Sequence, residues 1–329
     1  MKAYILNEYG SDAQFVPTNI DKPSIRKGHV IIEVKATSLN PVDFKLRTED
    51  LGINPDLPAI LHMDVAGVIT EVGESVPDFK IGDEVYGCAG GLKGIDGALA
   101  DFMLADANLI APKPKSLSFA EAAALPLVAI TAWEGLKDKV TLTKSDRVLI
   151  HGGTGGVGHI ALQLAKLSGA NVFVTVSSDE KAKIAQNLGA DATIDYRQEK
   201  VEDYVARLTN GEGFDVVFDT VGGEVLDKSL AAASSYGRII STIGHNTHDL
   251  TQMHMKNLSL HLVFMLLPML TGQNRTHHGH ILREIATLVD NGKIKPLIDK
   301  RSFSFDRANE AHALFASGQH IGKIVLTNT

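Results

Sequence analysis

The segment VLIHGGTGGVGHIALQLAKL, beginning at Val148, restricts the fold of this chain more than any other. Five glycines lie within seven residues, between the apolar run RVLI and a segment with apolar positions at Ile160, Leu162, Leu164, Ala165 and Leu167. A strand, a turn without side chains and an amphipathic helix follow one another, and another apolar run, NVFVTVS, comes next. Gly153, Gly155 and Gly158 match the G-x-G-x-x-G spacing. Bare backbone at such a turn admits a pyrophosphate, and the helix N-terminus offers it free N–H groups and a positive dipole end. The loop residues Gly153, Thr154, Gly155, Gly156, Val157 and Gly158 are therefore candidate dinucleotide-binding positions.

Which dinucleotide is read at the end of the next strand. An acid about twenty residues after the glycines would bind the ribose 2'-hydroxyl of NAD. Here Ser177 and Ser178 stand there, Lys181 follows in the first turn of a helix, and Tyr196 ends the next strand. A hydroxyl, a cation and a phenol suit a 2'-phosphate, hence NADPH, although Asp179 and Glu180 place negative charge nearby. Ser177 also has capping-box spacing to Glu180 and is expected to cap that helix.

The alternation continues from Arg147 to about Leu266 through ATIDYR, FDVVFDTV, GRIISTIG and LSLHLVFML, with helical segments such as EKAKIAQNLGA and GEVLDKSLAAAS between. Parallel strands with crossover helices follow, so an α/β, doubly wound sheet is expected. The first 120 residues read instead as β-rich and glycine-punctuated. SLSFAEAAALPLVAITAWEGL reads as a connecting helix, capped by Ser118 with Glu121. The late segments KRSFSF and GKIVLT are expected to return to the first sheet. LSLHLVFMLLPML is too short to span a bilayer and reads as a buried strand leading into a loop.

A net charge of -7 without a basic run argues against nucleic acid as partner. The single cysteine, Cys88, excludes an intrachain disulfide framework and suits a reducing cytoplasm. The N-terminus has no signal-peptide pattern. His277, His278 and His280 in THHGH read as a solvated loop rather than a metal site.

Together with the glycine loop, NPVDFKLR, LHMDVAGVITEVG, FKIGDEVYG, LPLVAITAWEGL, LGADATIDYR, GRIISTIG and GKIVL make the chain resemble the medium-chain dehydrogenase/reductase superfamily, within it the zinc-free, zeta-crystallin-like quinone oxidoreductases. The resemblance covers essentially the whole chain. It implies a GroES-like catalytic domain (1–123 and 270–329), a Rossmann domain (124–269), an active site in the cleft between them and a homodimer. Zinc-dependent relatives place a cysteine near Asn40 and a histidine–glutamate pair in the stretch matching LHMDVAG. Here Asn40 and Met63 stand at ligand positions, and neither suits zinc, so no metal is expected. His62 occupies a position usually glycine in the family and reads as a packed polar residue, with catalysis in the cleft as the alternative.

Without a metal to polarise a carbonyl, an acceptor that is already electrophilic remains reducible, which points to quinones and α,β-unsaturated carbonyls. The resemblance places Asn40 and Thr131 near the nicotinamide ribose and carboxamide, Val221, Gly222 and Gly244 along the nicotinamide, and Lys323 near the cofactor. Lys45, in the NPVD-x-K pattern of plant-type enone reductases, is the candidate for the substrate oxygen, and Asp43 is expected to orient that segment. The expected activity is NADPH-dependent quinone or enone reduction in the cytoplasm, with a small-molecule substrate and no membrane partner. Alternatives are an enoyl-thioester or aldehyde reductase on the same scaffold, or a crystallin-like NADPH-binding protein of low activity.

Overall fold

The computed structural model describes residues 1–328, which divide into two compact units. One comprises Met1–Ile130 and the chain from Leu266 onward; the other is Thr131–Met265.

In the first unit the β-branched strand His29–Leu39 pairs antiparallel with Asp64–Val72, with Phe102–Asp106 and with the C-terminal strand Ile324–Thr327. Phe303–Ser304 pairs with that last strand, so both late segments join the first sheet as their patterns indicate. The register Ile324↔Leu39 sets Lys323 beside Asn40. A helix not apparent in the β-rich reading, Pro41–Thr48, interrupts the strands. Its start follows simple rules: Asn40 stands at the N-cap, Pro41 supplies the preset φ of the first position, and Asp43 accepts from the Asn40 amide at 2.8 Å.

Two buried imidazoles meet in this unit. His62 Nε2 lies 3.0 Å from His312 Nε2, with Thr37 Oγ1 3.5 Å from His62 Nδ1 and Phe15 packed on both rings. His62 has a φ of 72°, a left-handed conformation that glycine adopts without strain. An L-residue in that region costs roughly 1–2 kcal/mol. The packed reading of His62 therefore describes its surroundings.

The second unit is a six-stranded parallel sheet, ordered Ala192–Asp195, Asn171–Val176, Arg147–Ile150, Phe214–Asp219, Ala233–Ser241, Ser259–Leu262. Numbered along the chain this is 3-2-1-4-5-6, the Rossmann order, whose reversal beside the first strand opens a ligand crevice. Leu149, Val217, Ile239 and Phe214 fill one face. The connecting segment breaks into two α-helices and runs into a π-helical turn, Glu134–Lys139. Phe119–Ala123 carries the expected Ser118–Glu121 cap, and Pro126–Trp133 follows because Pro126 cannot continue the first.

Two expectations need correcting. LSLHLVFMLLPML contributes a short edge strand, Ser259–Leu262, and a helix, Leu267–Thr271, rather than a buried strand and loop; Leu262 and Phe264 are 49% and 54% exposed. THHGH lies in the first turns of helix Arg275–Asp290, not in a solvated loop. His278 is buried, and Gly279 lets that turn approach the Asn108 carbonyl, where a Cβ would come within 2.7 Å. Among the described residues no helix is long and apolar enough to cross a membrane.

Burial moves His62 down to about 3 and holds His312 well below its ordinary value, so both rings fold as neutral groups. The unfolded chain binds protons at these positions from about pH 6.5 downward, so their contribution is complete above that pH and is lost as pH falls toward 3. The thermal midpoint is expected to fall with acidification from about pH 6.5 to pH 4. His312→Phe should flatten the slope, and an unchanged slope in differential scanning calorimetry would exclude the pair as its source.

Candidate active site

In the parallel unit the glycine loop leaves the end of strand Arg147–Ile150 and enters helix Gly156–Leu167. A Cβ at Gly158 would come within 2.1 Å of the Gly152 carbonyl oxygen, and one at Gly153 within 2.5 Å of Val174 Cβ. These two glycines pack the turn. Gly155 differs: it is exposed, and the nearest atom to an added Cβ is the Gly152 oxygen at 3.2 Å, so its outward side is open. Gly155 is the N-cap and makes no side-chain cap, and the amides of Gly156, Val157 and Gly158 donate to no described residue. Three amides and the dipole end of a twelve-residue helix thus form an anion cradle that suits the pyrophosphate of a nicotinamide dinucleotide. Buried Thr154 lies within the loop, whose entry is tied by Gly152 N donating to Thr175 Oγ1 at 2.9 Å.

Ser177 follows strand Asn171–Val176, and Lys181 lies in the first turn of helix Asp179–Asn187. The cap is Ser178 rather than Ser177: its hydroxyl accepts from the Lys181 amide at 3.3 Å. The extended Ser178 backbone turns the chain one residue later than the spacing to Glu180 indicates. Tyr196 donates its amide to Val176 O at 3.3 Å, which sets it beside Ser177 on the neighbouring strand end. Its ring is exposed, with the Arg197 guanidinium 5.9 Å from the centroid.

On the other side of the switch point, Asp219 Oδ1 accepts from the Val221 and Gly222 amides at 2.9 and 2.8 Å, while Oδ2 accepts from Ser241 at 3.0 Å. Sequence reasoning missed Asp219, although an acid closing a strand before VGG is a turn signal. Gly222 needs no side chain because φ is 78° and Ile243 lies against it. A Cβ at Gly244 would meet Leu262 at 2.7 Å. All these positions lie past the C-terminal ends of parallel strands, where such sheets bind ligands. Thr131 is buried on helix Pro126–Trp133.

The first unit gathers a different set. Asn40, Asp43, Asp64 and Lys323 are buried together. Asn40 Nδ2 donates to Asp64 at 2.8 Å and Asp43 at 3.1 Å, and Asn40 Oδ1 accepts from the Lys323 ammonium. Lys323 Nζ also donates to Leu39 O at 2.9 Å and reaches Asp64 Oδ2 at 3.4 Å. Asp64 further accepts from Ser38 Oγ and from the Leu127 amide, both at 2.8 Å. Asp43 also accepts from the Met63 amide at 3.2 Å, in keeping with an orienting role. Burial, then the Asp64 charge, pushes the Asp43 carboxyl up to about 7, and burial pulls Lys323 below its usual range. Both amide hydrogens of Asn40 and all three Lys323 donors are thus engaged within this unit. Lys45 is different: it is half-buried, and its ammonium makes no hydrogen bond or ion pair with any described residue. Neither Asp64 nor its pairing with Lys323 carries a local sequence signal, since 259 positions separate them.

Residues 26–115 match the model for the alcohol dehydrogenase GroES-like domain, and 188–326 that for a zinc-binding dehydrogenase. The chain is 37% identical to the 2-methylene-furan-3-one reductase of Solanum lycopersicum and 34% identical to the chloroplastic NADPH-dependent alkenal/one oxidoreductase of Arabidopsis thaliana. Both alignments span 99% of this chain and 79% of the relative. Among solved structures, an alcohol dehydrogenase superfamily protein from Novosphingobium aromaticivorans superposes with a TM-score of 0.95 at 39% identity, covering 100% of both chains. The quinone oxidoreductase from Coxiella burnetii gives 0.84 at 30% identity, covering 100% of this chain and 99% of that one.

Zinc does not suit the donors present. Met63 offers a thioether, and the Asn40 and Asp64 oxygens surround an ammonium rather than an open position. Among the described residues no group of three or more His, Cys, Asp or Glu is arranged to hold a metal. With a Rossmann sheet, a GroES-like unit and relatives matched along their common length, the chain belongs to the medium-chain dehydrogenase/reductase superfamily, in its quinone oxidoreductase-like group.

Proposed function

We propose that this protein is an NADPH-dependent, zinc-independent reductase of quinones and α,β-unsaturated carbonyls. One observation carries the reading: Lys45 keeps a half-buried ammonium without a partner among the described residues, on a helix whose first residues are held by the Asn40 amide bond to Asp43. A positioned cation of this kind stabilises an oxyanion as charge develops on substrate oxygen and can return a proton to it. The names of the tomato and Arabidopsis relatives support the enone class, and that of the Coxiella neighbour the quinone class.

A bound reduced nicotinamide supplies the hydride. The chain's own part is to hold and orient. The amides of Gly156, Val157 and Gly158 receive the pyrophosphate, with open Gly155 admitting it, and Val221, Gly222, Gly244 and Thr131 face the nicotinamide end. Ser177, Lys181 and Tyr196 receive the 2'-phosphate, in accord with the NADPH dependence in the Arabidopsis relative's name. Asn40 and Lys323 support the Lys45 helix from within, their donors engaged by Asp43, Asp64 and the Leu39 carbonyl. A homodimer through the open edge of the six-stranded sheet completes the reading. Its support is that Ser259–Leu262 pairs on one side only among the described residues, with Leu262 and Phe264 exposed beside it. A reducing compartment such as the cytoplasm accords with the lone, buried Cys88.

NADPH oxidation should be followed over quinones, enones and enals, with and without chelator. Turnover on at least one class, insensitive to chelator, is expected, and Lys45→Met should lower kcat by roughly 10-fold or more while the Kd for NADPH stays within about 2-fold. No turnover on any class would refute the function, and an unaltered kcat would remove Lys45 from it. The KM for NADH should exceed that for NADPH by roughly 10-fold, a gap that Lys181→Ala narrows; a preference for NADH overturns the cofactor assignment. Light scattering should give the mass of two chains, and Phe264→Glu that of one.

A further inference from the structure

The buried cluster of the first unit contains an arithmetic of charge. Asp43 and Asp64 bring two carboxylates, and Lys323 brings a side-chain cation that bonds Asp64 and, through the Asn40 amide, lies next to Asp43. An unbalanced buried charge is costly. The remainder is met by backbone. Asp43 sits in the first turn of helix Pro41–Thr48, and Asp64 accepts from the Leu127 amide in the first turn of helix Pro126–Trp133. Each helix start is equivalent to roughly half a positive charge, so two of them and one ammonium offset two carboxylates once Asp43 ionises, above about pH 7.

We propose that Lys323 is a built-in counter-cation of the site and Asp64 its positioning residue, together fixing the start of the helix that carries Lys45. The geometry supports the assignment. Asp64 ties three separate segments: Ser38 and Asn40 where the central strand enters the helix, Lys323 beside the C-terminal strand, and Leu127. Lys323 in turn grips Asn40 Oδ1 and the Leu39 carbonyl, the last residues before Pro41. Lys45 lies one turn further on, so a shift at Asn40 is passed directly to its ammonium. The other titratable groups whose charge is felt in this cluster are Cys88 and His62. The Cys88 thiol is pushed well up by burial and His62 well down, so both stay neutral from weakly acid to alkaline pH. Charge balance there rests on the two carboxylates and the lysine.

This assignment rests on the reductase reading only for its effect on turnover; the charge balance is read without substrate. Lys323→Met leaves two carboxylates without a side-chain cation, which raises the Asp43 carboxyl further. The folded state then holds protons that the unfolded state releases, so stability must fall as pH rises. Between about pH 6 and pH 8.5 the thermal midpoint of Lys323→Met should decline more steeply than that of the wild type. At about pH 8 its kcat should drop by roughly 10-fold with the KM for NADPH within about 2-fold, and turnover should partly recover near pH 6. Adding Asp64→Asn removes the surplus charge while keeping the side chain's shape. The double variant should regain the wild-type slope and part of the lost kcat. A wild-type slope in Lys323→Met, or a double variant no better than the single one, overturns the proposal. If Lys323→Met does not fold, a folded double variant supports the assignment, and failure of both overturns it. Should the wild type reduce no acceptor, the two slopes still decide the charge assignment separately from the reductase reading.

Discussion

The Asp64 carboxylate organises the β-rich unit. Four donors converge on its two oxygens, from Ser38, Asn40, Lys323 and Leu127, and they come from three separate parts of the chain. A carboxylate removed from water needs such donors, because charged groups buried without them cost several kcal/mol. Satisfying that need forces the central strand, the C-terminal strand and two helix starts into one arrangement. Lys45 stands outside the network, its ammonium unengaged among the described residues, on the helix the network holds. The contrast is one of bonding: Lys323 has three acceptors, and the Lys45 ammonium has none among the described residues.

The parallel unit works by a complementary rule. There the protein withholds side chains instead of gathering them. Gly153 and Gly158 are small because strand and loop press against them, and Gly155 is small because the space before it must stay open. The undonated amides of the first helical turn are tolerable only where solvent or an anion can meet them. Asp219 does for the far side of the crevice what the glycines do for the near side, shaping a loop by bonding two successive amides.

Much of this was legible in residue order. The glycine loop, the strand–helix alternation and the Ser118 cap are local patterns, set by spacings of a few residues. The Pro41–Thr48 helix was equally local and was missed because its signal, Asn-Pro-x-Asp, lies within a β-rich stretch. Ser178 displaced Ser177 as cap because the spacing to an acid at the third position does not say which serine leaves the strand last. THHGH was misread for want of tertiary packing: its glycine and histidines look like a loop until Gly279 is seen against the Asn108 carbonyl.

Sequence alone determined the order of elements, the glycine turn and the absence of an acid at the end of NVFVTV, since each depends on neighbours along the chain. Tertiary structure decided which polar groups are engaged. Asn40 and Lys323 meet because the antiparallel register Ile324↔Leu39 sets them side by side, and His62 meets His312 across 250 positions. Such pairings arise when distant strands and helices close on one another, and a hydrogen bond is a matter of a few tenths of an ångström. No spacing in a linear chain encodes that distance, so whether a given lysine is bonded or left unengaged appears only in the folded protein.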